Sequence, residues 1–188
     1  MNHALVAALV VAVFVLTILA IVQFNRLRRL DQLCRGAFAD IDTLLSKRAD
    51  LIPNLVRTVS GARDFEAATL ERVTSARAAG LHAVNMESKL QADGDLTAAL
   101  GRLFVLAEAY PQLTATENFR DLQRQLAQIE SELQFSRQFY NDTVVNMNIA
   151  LTTIPSMWFR GIAGVHERPL FEEANPARRT SPDAGFTA

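Results

Sequence analysis

Residues 117–151 read ENFRDLQRQLAQIESELQFSRQFYNDTVVNMNIAL, and the spacing of their apolar side chains decides the fold class. Phe119, Leu122, Leu126, Ile129, Leu133, Tyr140, Val144, Met147 and Leu151 recur at steps of three, four and seven. That is the seam of a helix that buries one stripe. No Gly or Pro interrupts the run before Pro155, so the spacing predicts a helix of about 38 residues, on the order of 57 Å long at 1.5 Å per residue. A stripe this long has to be covered by other helices.

Working upstream, Thr114-Ala115-Thr116-Glu117 has the capping-box pattern, in which the threonine accepts from a free N–H and the glutamate reaches back. Pro111 excludes continuation of a short third helix through Leu96, Leu100, Leu103, Ala107 and Tyr110. Asp93-Gly94-Asp95 reads as the turn before it, the last carboxylate serving as cap. A second helix is expected to carry Leu55, Val59, Ala62, Phe65, Leu70 and Val73 inward and to stop at Gly80, with Gly61 its weak point. It starts at Asp50, because Pro53 is expected to end or kink the first helix and fits the first turn of the next. A tight helix–helix turn near residues 48–53 follows. The first helix holds its stripe through Leu27, Leu30, Cys34, Phe38, Ile41 and Leu45, with Cys34 a small core residue.

Further upstream, residues 4–22 carry no charge and a single polar side chain, Thr17, enough to span a hydrocarbon core of about 30 Å. Every Lys, Arg, Asp and Glu lies beyond that run, beginning with Arg26, Arg28 and Arg29. The positive-inside rule then places the C-terminal bulk in the cytoplasm and the N-terminus outside. A cleaved signal needs Lys or Arg before the apolar run and a small-x-small site behind it, and neither is evident.

With no period-2 segment long enough for a sheet, the expectation is all-α: an N-terminal transmembrane helix followed by an elongated antiparallel four-helix bundle. Residues 1–24 form the anchor, 25–154 the bundle, 155–173 an apolar tail and 174–188 a disordered polar tail. In the apolar tail Met157, Trp158, Phe159, Ile162 and Phe171 are too apolar for a solvated linker. Three fates stay open for them: docking on the bundle, lying on the bilayer, or binding a partner.

The 188 residues hold 8 Gly, 6 Pro and 1 Cys with 49% apolar side chains, which excludes collagen-like, disordered and disulfide-framework classes. Nineteen basic side chains against 20 acidic ones leave a net charge of −1, without the broad basic surface that nucleic-acid binding needs.

The helix junctions also carry a family pattern. Lys47-Arg48-Ala49-Asp50-Leu51-Ile52-Pro53-Asn54-Leu55-Val56 followed by Gly61 resembles the signature of the LemA family. Glu108-Ala109-Tyr110-Pro111-Gln112-Leu113, with Phe119, Leu122 and Gln123, resembles its second motif, and Arg137-Gln138-Phe139-Tyr140-Asn141 its third. Thr114 stands where a lysine is common, and the tail after Pro155 is only loosely similar. The resemblance implies a bacterial single-pass inner-membrane protein with a four-helix bundle in the cytoplasm, and no established enzymatic activity.

Chemistry is hard to find in the residues. A di-iron bundle needs Glu-x-x-His pairs on inward faces, and His3, His82 and His166 are scattered and without such partners. No Walker loop, Gly-x-Ser-x-Gly elbow or His-Glu-x-x-His is present. No catalytic, cofactor or metal residue is therefore assigned. The motif residues Arg48, Asp50, Leu51, Pro53, Asn54, Leu55, Tyr110, Pro111, Arg137, Tyr140 and Asn141 are assigned to structure, since Asp and Asn cap helices and aromatics at heptad spacing form cores. Arg26, Arg28, Arg29, Trp158 and Phe159 are the candidates for lipid or partner contact. The expected function is a non-catalytic helical scaffold that self-associates or binds a membrane-protein partner. The alternative is a lipid-binding or membrane-remodelling module.

Overall fold

The computed structural model describes residues 2–63 and 65–171, and every regular element among them is helical. In chain order they are α1 (Asn2–Ser60), α2 (Ala67–His82), α3 (Met86–Ala107), α4 (Pro111–Thr114), α5 (Glu117–Thr152), a 3₁₀ turn (Ser156–Phe159) and α6 (Arg160–Ala163). The polar tail expected over residues 174–188 lies outside the described residues.

The chain divides into two compact units. Unit one takes the chain up to Asp40 with Ser136–Leu170, and unit two takes Ile41–Phe135 and, among the described residues, Phe171. Unit two has a core drawn from five helices: Ile52, Leu55 and Val59 of α1, Val73 of α2, Leu96, Leu100 and Leu103 of α3, Leu113 of α4, and Phe119, Leu122 and Leu126 of α5. Edge-on packing of Phe104 against Phe119, with centroids 6.0 Å apart, fills the space between α3 and α5. In unit one the buried side chains include Leu27, Cys34 and Ala37 of α1 and Tyr140, Val144, Met147 and Leu151 of α5. Cys34 Sγ lies 3.7 Å from Met147 Sδ, and the Phe38 and Tyr140 rings meet at 6.1 Å. The α5 stripe read from the sequence is the buried one, with Ile129 half-buried.

Three expectations are corrected. Pro53 neither ends nor turns the first helix: α1 runs on to Ser60, α2 starts only at Ala67, and Asp50 is an exposed mid-helix residue rather than a cap. Proline at this position removes the N–H that would bond the Ala49 carbonyl one turn back. That carbonyl instead accepts from Arg77 Nε of α2 at 2.8 Å, which removes much of the penalty. The turn expected at Asp93-Gly94-Asp95 lies inside α3, whose start is ten residues upstream of Leu96 at Met86. Asn85 caps it reciprocally with Ser88: Ser88 N–H donates to Asn85 Oδ1 at 2.8 Å, and Asn85 N–H donates to Ser88 Oγ at 3.2 Å. The third correction concerns the start of α5, which falls at Glu117 as expected but without the capping box. The Thr114 hydroxyl donates to the Pro111 carbonyl at 3.2 Å and closes α4, an extra turn that Pro111 opens at its first position.

Candidate functional site

Polar side chains gather at one place in each unit. In unit two the centre is Arg48, only 4% exposed although it carries a charge. Its Nη1 donates to Asp93 Oδ1 at 2.7 Å and lies 2.9 Å from Glu130 Oε2, so one guanidinium joins α1, α3 and α5. Lys89 forms an ion pair with Asp42 beside it. Arg48, Asp93, Lys89 and Asp42, with Arg77 and Ser46, line a cavity of about 220 Å³. A buried guanidinium with no carboxylate beside it is costly, and the helices bring two to it. Gathered this way the charges neutralise one another. Among the described residues no group of three or more His, Cys, Asp and Glu is placed as metal ligands are.

In unit one Asp31, also 4% exposed, receives Arg168 Nη2 at 2.8 Å and Arg35 Nε at 3.0 Å. Burial pushes the Asp31 carboxyl up, but the hydrogen bond and charge of Arg168, with Arg35 added, outweigh it and hold the pKa below the usual carboxylate range. Burial raises both the Cys34 thiol and the Tyr140 phenol, so each stays neutral near pH 7. The segment around Arg168 is strapped to α5 as well. Asn148 Nδ2 donates to the Arg168 carbonyl at 2.9 Å, and Arg168 N–H donates to Asn148 Oδ1 at 3.1 Å. Tyr140 Oη donates to the Pro169 carbonyl at 3.2 Å. The segment around Arg168 thus packs on α5 through its polar backbone; of the apolar tail residues Phe171 is buried, Phe159 half-buried, and Met157, Trp158 and Ile162 exposed.

The motif residues fall into three groups. Arg48, Leu55 and Tyr140 are buried, while Leu51, Tyr110, Arg137 and Asn141 are half-buried. The Tyr110 ring meets that of Phe65, in the loop between α1 and α2, at 5.2 Å with a 43° tilt. Asp50, Pro53, Asn54 and Pro111 are exposed, Asn54 accepting from Arg57 Nη1 of the next turn at 3.3 Å. Arg26, Arg28 and Arg29 are exposed on α1, Trp158 is 65% exposed and Phe159 half-buried. Sequence reasoning missed Asp31, Arg168, Asn148, Asp93 and Glu130. A signal existed for two positions, because Asp31 and Arg48 are charges in phase with the apolar stripe of α1.

A profile of the LemA family matches residues 37–186. Magnetosome protein MamQ 2 of Paramagnetospirillum magneticum is 20% identical over 197 residues, covering 91% of this chain and 72% of that protein. Magnetosome protein MamQ of Magnetospirillum gryphiswaldense is 29% identical over 84 residues, covering 45% of this chain and 31% of that protein.

Proposed function

The chain belongs to the LemA family, and on that premise we propose that it is a non-catalytic, single-pass membrane scaffold acting through self-association or a membrane-protein partner. Residues 4–22 cross the bacterial inner membrane in this reading, with the N-terminus outside and the helical body in the cytoplasm. The long stretches of α1, α2, α3 and α5 act together as an antiparallel four-helix bundle.

One observation carries the reading. α1 is a single helix from Asn2 to Ser60; no residue of its apolar N-terminal window is buried, while its later turns bury Leu27, Ile41, Ile52 and Leu55. Apolar side chains exposed around the whole circumference over this length need a lipid covering, and a continuous helix ties that covering to the packed body. The polar clusters support a scaffold over an enzyme, because their charged groups are engaged with each other between separate segments of the chain. Exposed apolar side chains such as Val105 of α3 and Phe135 of α5 offer contact points for a partner.

Crosslinking in intact membranes, followed by purification in mild detergent and mass spectrometry, tests the proposal. A stoichiometric second protein or a ladder of self-crosslinks is the expected result. A monomer with no crosslinked product overturns the scaffold reading.

A further inference from the structure

The apolar run of α1 ends at Val22, and the next residue, Gln23, accepts a hydrogen bond from Ser156 Oγ at 2.7 Å. Ser156 is buried, so this bond fixes the 3₁₀ turn Ser156–Phe159 against the turn of α1 that leaves the apolar run. The side chains around it face away from protein. Ile154 is 63% exposed, Trp158 65% and Ile162 77%, with Met157 between them. Gly164, at φ 62°, closes α6 in a left-handed conformation that costs glycine nothing and so turns the chain back toward Arg168. The result is an apolar loop held at both ends and uncovered at its tip.

Charge at this level has one sign. Residues 151–165 and 23–30 contain no Asp or Glu, and they carry Arg26, Arg28, Arg29 and Arg160, all exposed. The three arginines of α1 lie about 6–10 Å beyond Val22 along the helix axis, the depth of a headgroup layer. An aromatic and aliphatic tip ringed by cations suits an anionic lipid surface, where Trp settles at the boundary and each arginine near the headgroups adds about 1 kcal/mol.

We propose that residues 154–162 form an interfacial cap that inserts Trp158, Met157, Ile154 and Ile162 into the anionic leaflet from which α1 emerges. The proposal rests on the reading that residues 4–22 cross a membrane. Its consequence is that the protein grips the bilayer twice, by the span and by the cap, which sets the tilt of α1 at the surface of the leaflet.

Trp158 is the chain's one tryptophan, so its fluorescence reports the cap directly. Full-length protein is reconstituted into vesicles of phosphatidylcholine and phosphatidylglycerol carrying bromine at a shallow or a deep acyl position, and its flotation after alkaline carbonate is checked. The expected result is blue-shifted emission that loses more than about half its intensity to shallow bromine and less to deep bromine, as for a side chain seated about 5–10 Å into the interface. Moving the fluorophore by Trp158→Phe with Phe139→Trp should abolish the quenching, because Phe139 neighbours Tyr140 at the level of Phe38, about 24 Å beyond Val22 along α1. Floated protein with water-like, unquenched Trp158 emission overturns the cap and leaves the anchor standing. Blue-shifted but unquenched emission overturns it too, in favour of a second copy or another protein covering the tip. Failure to float overturns the membrane reading and the cap with it.

Discussion

Arg48 lies in phase with Leu44 and Ile52 on the buried stripe of α1, a position where an unpaired charge costs several kcal/mol. Its carboxylate partners come from α3 and α5, so removing the guanidinium takes a charge-assisted hydrogen bond from buried Asp93 and leaves a void among three helices. Arg48→Ala is expected to lower stability by about 3–5 kcal/mol, or roughly 6–20 °C in Tm for a chain of this size, read by circular dichroism of the full-length protein in detergent. Arg48→Ala with Asp93→Ala should lose less than the two single changes added together. A Tm for Arg48→Ala within a degree or so of wild type would show that the cluster contributes no stability. Asp31 gives a pH prediction. Its pKa is depressed when folded, so its contribution is fully present above the ordinary carboxylate value of 3.8 and is lost as pH falls through the folded value. Unfolding measured from pH 6 down to pH 3, a window spanning the ordinary value of 3.8, should show wild type losing stability at the acid end and Asp31→Asn changing less; parallel curves would mean that Arg168 contributes nothing through Asp31.

At the scale of elements, the proline in α1 shows how context overrides a local rule. Pro53 inside a helix commonly costs about 3 kcal/mol, partly through the carbonyl it leaves unbonded. Arg77 supplies that bond from α2, which makes the unbroken α1 depend on a side chain 28 positions from the carbonyl it satisfies. Arg77→Met should therefore cost about 1–3 kcal/mol in the wild-type background and much less with Pro53→Ala, where the backbone N–H returns. Equal losses in both backgrounds, measured by urea unfolding, would break the proposed link. The same contrast explains what was legible from sequence. The α5 stripe could be read because Phe119, Leu122, Leu126, Leu133, Tyr140, Val144, Met147 and Leu151 obey a period that any burying helix must obey. The α1–α2 turn could not, since the Arg77 bond is a tertiary fact. The start of α3 was missed because Asn85-x-x-Ser88 caps with serine where Glu or Gln is the usual partner. Asp31 and Arg48 were visible as charges on an apolar stripe, whereas Asp93, Glu130 and Arg168 became their partners only through folding.

For the molecule as a whole, the asymmetry of charge along the chain is the strongest physical constraint on orientation. No Lys, Arg, Asp or Glu precedes Arg26, while Arg26, Arg28 and Arg29 follow the apolar run within two turns. Translocating each arginine is opposed by the membrane potential and by anionic lipid, so the end that keeps them inside is favoured, and the counting applies over the first 15–20 residues beyond the span (about that range). Asp31 does not cancel them, because acidic side chains count for little in this bias and its carboxylate is paired with Arg168 and Arg35. A C-terminal fusion to a fluorescent protein that matures only in the cytoplasm should glow, and a fusion to a phosphatase active only outside should stay silent. Changing Arg26, Arg28 and Arg29 to Gln and adding lysines ahead of residue 4 reverses the bias, and should give a mixed population with measurable phosphatase activity. A wild-type fusion with active phosphatase would reverse the orientation and, with it, the leaflet into which Trp158 is proposed to insert; a variant that stays silent would show that the folded body, not the arginines, decides which side the chain occupies.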